Sequence, residues 1–278
     1  MKPAAVALLP FPTSALTTAD SMDWIKSNWN WTSGTSEFLN FVVDPFGGGK
    51  IVLRVRYPKS SYAHEVAGGV TGFYLDVFDG ANPLRALLSY QVAFSTNFDF
   101  VKGGKLPGLY GGDHSGGCWG GVNSDLCFSL RVYAYLPGTT PAFCASPLVS
   151  CSTSTYGTSL GRSTWNYTSL GAWSTVVESA VLNSDPSIDG AGTARANGYI
   201  STYFNPSGED AKLAFTKKGI VFRTREEVGF SKLFFSTFFG GGSVDYASTR
   251  DVYAYFKDFN IYQGTGDSNA SGDVVTVS

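Results

Sequence analysis

The sequence predicts an all-β fold: two antiparallel sheets packed as a sandwich or β-jelly roll, with a concave groove on one sheet. Three observations point there. Apolar and polar residues alternate with period two along most of the chain. Aromatic residues make up 15% of 278 and charged residues only 15%, a balance that packs sheets and excludes disorder. Helical periodicity is poor, and only "SMDWIKS" around Asp23 reads as a turn or two of helix.

The strands follow in order, each rich in β-branched or aromatic residues and bounded by Gly, Pro, Asn, Asp or Ser. "IVLRVRY" (51–57) alternates cleanly and puts Arg54 and Arg56 on one face. "GFYLDVF" and "LLSYQVAFSTNFDF" come next, then "LCFSLRVYAYL", "STVVESAVL", "GYISTYF", "GIVFRTR", "KLFFSTFF" and "DVYAYFKDFNIY". No linker and no internal repeat divides them. Residues 1–20 read as an N-terminal segment with signal-like character, in which Pro10 and Pro12 interrupt a short apolar run. Residues 21–264 read as one domain, and 265–278 as a loose tail.

The net charge of −2 offers no global field for nucleic acid, so a polyanion would need a local cationic patch. No stretch has the apolar length of a membrane span. The expected molecule is a monomer without nucleic-acid or membrane partners. Four cysteines fall in two close pairs, Cys118 with Cys127 and Cys144 with Cys151, which suggests two local disulfides and an oxidising, extracellular compartment. Sequons at Asn30, Asn166 and Asn269 agree with secretion. With His64 and His114 the only histidines and no CxxC, zinc is disfavoured and no metal ligand set is assigned.

Two segments carry candidate chemistry. If "CFSLRVYAYL" is one regular strand, Ser129, Arg131, Tyr133 and Tyr135 share a face, while Phe128, Leu130, Val132 and Ala134 face the core. Such a row can grip a carboxylate through the guanidinium and supply a phenol for proton transfer. The loop "KGGKLPGLYGG" (102–112) puts Lys102 and Lys105 among five glycines, and "GGDHSGGCWGG" continues it through His114 and Trp119. A phosphate-binding loop is excluded, because GxxxxGK[ST] is absent and no helix follows. No ExDxE strand is present, which disfavours paired-carboxylate glycosidase chemistry.

"KGGKLPGLYGG", "GGCWGG" and "CFSLR" together resemble the core of polysaccharide lyase family 14, alginate and glucuronan lyases with a jelly-roll fold. "YGTSLGRSTWNY" resembles the family's YG-x-S-x-GRG segment. "GAWSTVVESAVLN" and "STFFGGGSVDYASTRDVYAYFKDFNI" resemble later motifs, in order from about residue 40 to 262. The resemblance implies an active site of a loop lysine, a Ser-x-Arg pair and a Tyr-x-Tyr pair. These map to Lys105 (with Lys102 as second choice), to Ser129 and Arg131, and to two tyrosines. The family places Tyr-x-Tyr about a dozen residues after the arginine, on the next strand of a hairpin. Ungapped counting lands instead on Phe143 and Ala145, with "PGT" as the turn, whereas a ten-residue gap selects Tyr133 and Tyr135.

The implied reaction is β-elimination on an anionic 1,4-linked uronate polymer, with no cofactor and a structural calcium left open. Lys102, His114, Arg54, Arg56 and Trp119 are the expected substrate-binding residues. Alternatives are a lectin-like carbohydrate-binding sandwich without catalysis and, behind it, a glycoside hydrolase. Which uronate is cleaved, and whether internally or from an end, is not written in the motifs.

Overall fold

The computed structural model describes residues 4–63, 71–113, 115, 117–118, 124–130, 133–151, 157–164, 166–167, 169–184, 186, 193–207, 210–241 and 243–277. Two large antiparallel sheets dominate. The eight-stranded sheet runs β16 (Lys212–Ile220), β15 (Gly198–Asn205), β13 (Trp173–Val181), β6 (Arg85–Phe94), β18 (Val252–Gly264), β4 (Ile51–Tyr57) and β3 (Leu39–Val43), with β1 (Ala4–Leu8) also on β18. The six-stranded sheet runs β2 (Trp31–Thr35), β5 (Thr71–Leu75), β17 (Phe230–Phe239), β8 (Gly108–Gly112) and β9 (Cys127–Ser129), with β7 (Gly104–Lys105) also on β17. Small ladders join β10 (Tyr133–Ala134), β12 (Thr158–Leu160) and β11 (Val149–Ser150), and β14 (Thr193–Arg195) with β19 (Val274–Thr276).

Period two sorts the side chains. On β6, Ala86, Leu88, Tyr90, Val92 and Phe94 point between the sheets, and on β17 Phe230, Leu233, Phe235 and Phe239 meet them. Phe73 and Phe235 stack at 4.8 Å within this core. Each such buried ring contributes about 2–3 kcal/mol. β18 keeps both Phe256 and Phe259 in the core by a bulge at Asp258, whose φ of 54° shifts the register between Lys257 and Asn260.

Several elements depart from the sequence reading. The helical hint near Asp23 is a three-turn helix α1 (Thr18–Asn28), because Thr17 caps it and accepts from the Asp20 amide. It buries Met22 and Ile25 and ends on Trp29, whose indole donates to the Pro10 carbonyl at 2.6 Å. "GIVFRTR" is displaced: the strand is Lys212–Ile220, and 221–223 run on without a strand partner. There the Asn183 side chain takes the Phe222 and Arg223 amides. The segment read as a loose tail carries β19, and the Asn197 amide donates to the carbonyls of Ser268 and Ala270. Both cysteine pairs are disulfides, Cys118–Cys127 and Cys144–Cys151.

Candidate active site

The strand expected to run unbroken from Phe128 to Leu136 does not. β9 ends at Ser129, and Tyr135 bridges back to it, each residue's amide donating to the other's carbonyl at 3.0–3.1 Å. The chain therefore reverses within five residues, and Tyr133 and Tyr135 arrive on the returning arm. For Ser129, Tyr133 and Tyr135 the shared face survives for a different reason. Directly opposed residues of an antiparallel pair share a face, so Tyr135 stands with Ser129, and Tyr133, two residues away, stands with Tyr135. Phe128, Leu130 and Ala134 are in the core as expected, while Val132 lies outside the described residues.

The positions reached by ungapped counting lie elsewhere. Phe143 and Ala145 do not sit on a return strand. Thr140 caps a four-residue helix α2 (Pro141–Cys144), Phe143 is buried in the core and Ala145 is its C-cap. Thus "PGT" leads into a helix rather than turning a hairpin. The arm carrying Tyr133 and Tyr135 pairs with β12 and closes the reversal that the ungapped count placed ten residues later.

Lys105 comes to the same place from the other side. β7 pairs Gly104 with Phe239 and Lys105 with Phe238. Phe239 faces the core, so the Lys105 side chain leaves the opposite face of the six-stranded sheet. Its Nζ lies 5.2 Å from the Tyr133 ring centre and 5.6 Å from that of Tyr135, the two rings packing edge to face at 5.7 Å. Gly103 makes the approach possible: its φ of +97° suits glycine alone. Lys102 turns elsewhere, 3.3 Å from Asp245 and over the Tyr246 ring at 5.1 Å.

Ser129 is fully buried and donates its hydroxyl to the Cys118 carbonyl at 2.9 Å. Its place is that of a tie holding the Cys118–Cys127 loop against the sheet, not of a group presented to solvent. Tyr135 is 2% exposed in the same packing, so Tyr133 is the more accessible phenol. Tyr74, Phe234 and Tyr110 complete the floor: Tyr74 stacks on Phe234 at 4.2 Å and meets Tyr110 edge-on at 5.4 Å. The sequence reading missed these three, although each occupies the non-core parity of its strand. Burial raises the Tyr110 phenol pKa, and its hydroxyl donates to the Asp113 carbonyl, which marks it as floor rather than acid–base group. Arg131, His114 and Trp119 lie outside the described residues.

Arg54 and Arg56 do share a face, but it is the wrong one for a groove at Lys105. Leu53, Val55 and Tyr57 take the core side of β4, so both arginines stand on the outer face of the eight-stranded sheet, across the sandwich. There Arg54 donates to Asn40 at 3.1 Å and covers the Tyr253 ring, and Arg56 pairs with Asp251 at 2.7 Å. Among the described residues no group of three or more His, Cys, Asp or Glu could hold a metal ion.

The polysaccharide lyase 14 family model matches residues 47–259, an interval that contains the whole cluster. The chain belongs to the polysaccharide lyase 14 family. A solved family-14 alginate lyase from Aplysia kurodai is 28% identical to this lyase, with 94% of this chain and 100% of that one covered and a TM-score of 0.79. An alginate lyase from Chlorella virus is 20% identical over 90% of this chain and 99% of its own, with a TM-score of 0.64, and supports the jelly-roll fold alone. No curated protein matches this sequence.

Proposed function

We propose that this lyase is secreted and cleaves a 1,4-linked uronate polymer, alginate first among the candidates, by β-elimination. The observation that carries the reading is the placement of the Lys105 ammonium over Tyr133 and Tyr135 on the returning arm of a hairpin. The likeness to the Aplysia enzyme, described as an alginate lyase, favours alginate over glucuronan. The two disulfides favour an extracellular setting.

In this reading the C5–H bond breaks, its electrons form the C4–C5 double bond, and the C4–O4 bond opens. Negative charge builds on the neighbouring carboxylate, so a cation held there binds the transition state more tightly than the substrate. Lys105 is one such cation. Arg131, assigned from the family motif, is the second. Tyr133, the more accessible phenol, transfers protons, from C5 and to the departing O4. Tyr135 buttresses its ring, and Ser129 acts indirectly by holding the disulfide loop. The binding-only alternative rested on a missing Tyr-x-Tyr pair, and the position of Tyr133 and Tyr135 beside Lys105 favours catalysis over it.

The test is ultraviolet absorbance of the conjugated unsaturated uronate during incubation with alginate, polymannuronate, polyguluronate and glucuronan. A rise on alginate or one of its block polymers is expected. A rise on glucuronan alone would replace the substrate. No rise on any polymer, with binding retained, would overturn the lyase mechanism, and reducing ends without absorbance would indicate hydrolysis.

A further inference from the structure

Part of the loop that delivers Lys105 borders open space. Behind residues 103–107, on the core side, lies a cavity of about 250 Å³ walled by Tyr57, Tyr90, Phe98, Tyr167, Glu178 and Phe239. The β7 ladder holds Gly104 and Lys105 and Leu106 packs on the core, but a glycine-rich segment beside open space gains less from packing, so further polar ties help to set where it sits. Two buried phenols supply such ties. Tyr90, 2% exposed on the core face of β6, donates its hydroxyl to the Pro107 carbonyl at 3.2 Å. Tyr57 shares a hydrogen bond with the Thr237 hydroxyl, on the residue beside Phe238, the strand partner of Lys105.

The Tyr90 phenol is the tie made to the loop itself. Burial pushes its pKa well above the ordinary tyrosine value, with Tyr167, Glu178 and Tyr57 adding in the same direction. It therefore remains protonated, and a donor, at neutral pH. Its ring packs against Phe256 and Phe259 as any core aromatic would, so phenylalanine would serve the packing and only the hydroxyl requires tyrosine.

We propose that Tyr90 is a positioning residue for Lys105, holding the 103–107 backbone so that the ammonium stands over Tyr133 and Tyr135. The proposal rests on the reading of Lys105 as the catalytic cation. Misplacing such a group by about 1 Å costs on the order of a hundredfold in rate, so loss of one tether is expected to lower kcat about tenfold or more. KM and the unfolding temperature should move little, because the Phe ring keeps the packing.

The experiment compares Tyr90→Phe, Lys105→Ala and the double variant on the preferred polymer. It also follows the side-chain NMR signals of isotope-labelled lysines. The expected result is a kcat loss in Tyr90→Phe that disappears in the Lys105→Ala background, with the Lys105 signal shifted and that of Lys217, at the far edge strand, unchanged. An unaltered kcat, or an equal loss with and without Lys105, would overturn the proposal. If the wild-type chain cleaves no polymer, the functional reading fails by itself. The tether is then judged by the Lys105 signal: a shift in Tyr90→Phe upholds it and no shift refutes it.

Discussion

The two outer faces of this sandwich use the same ingredients to different ends. On the eight-stranded sheet, Lys257 covers the Trp173 ring at 3.9 Å and Arg54 covers Tyr253 at 4.9 Å. Fixed acceptors answer the cations there: Asp44 takes Lys257 at 3.2 Å and the Trp173 indole at 3.0 Å, Asn40 takes Arg54, and Asp251 takes Arg56. On the six-stranded sheet, Lys105 is brought over two phenols that sit together on one arm of a hairpin. Cations over aromatic rings do not by themselves make a site. A cation matched by a fixed carboxylate holds strands together. Lys105 lies over two phenols on one hairpin arm, and under the proposed mechanism it meets an anionic substrate beside a proton-transfer group.

The largest expected effects test that contrast directly. Lys105→Ala and Tyr133→Phe should each lower kcat by about 10²- to 10⁴-fold, the range of general acid–base and charge-stabilising groups. Arg54→Ala and Arg56→Ala should leave kcat/KM within about twofold, since surface pairs contribute little. Steady-state kinetics on the polymer decides. An arginine variant as damaged as Lys105→Ala would break the comparison.

Next in size is a stability effect confined to the other face. The Asp44 side chain is 1% exposed, and Lys257→Met would leave its carboxylate buried without its ammonium partner. Unfolding free energy in urea should fall by about 3 kcal/mol, while kcat of the folded fraction is unchanged.

The smallest effect concerns pH at the root of the lysine loop. Asp99 accepts from the Val101 amide and the Thr249 hydroxyl, and these bonds, the backbone one foremost, hold its carboxyl below the usual value. A depressed folded pKa gives stability that is present above the unfolded value of about 3.9 and is lost as pH falls through the folded one. Asp99→Asn should therefore lower the denaturation midpoint slightly at neutral pH. The gap to wild type should close below about pH 4. A gap that persists in acid would mean that the carboxylate charge is irrelevant.

Much of the fold was legible because period-two alternation is a local signal. Strand existence and core parity followed from it, as in "IVLRVRY" and "FSLRVYAYL", where Leu53, Val55, Tyr57, Phe128, Leu130, Ala134 and Leu136 fall in the core as alternation puts them. Chain reversals were not legible. Nothing in "SLRVYAY" marks a turn by glycine or proline, so the reversal between Ser129 and Tyr135 was read as a continuous strand. "PGTTP", which has turn residues, instead leads into a capped helix. Sequence order likewise hid the sidedness of Arg54 and Arg56, because alternation tells which residues share a face and not which sheet that face belongs to.

The sequence by itself determined the all-β class and the pairing of the cysteines, and it singled out Lys105, Tyr133 and Tyr135 as candidates. These rest on patterns within a few residues of one another and on motif order. Only the tertiary structure decided that the tyrosines return on a hairpin arm, that Ser129 is buried under a disulfide loop, and that the arginines of β4 stand across the sandwich. Those facts depend on which strand pairs with which over long separations, where loop closure and side-chain burial compete. No local pattern records the outcome of that competition.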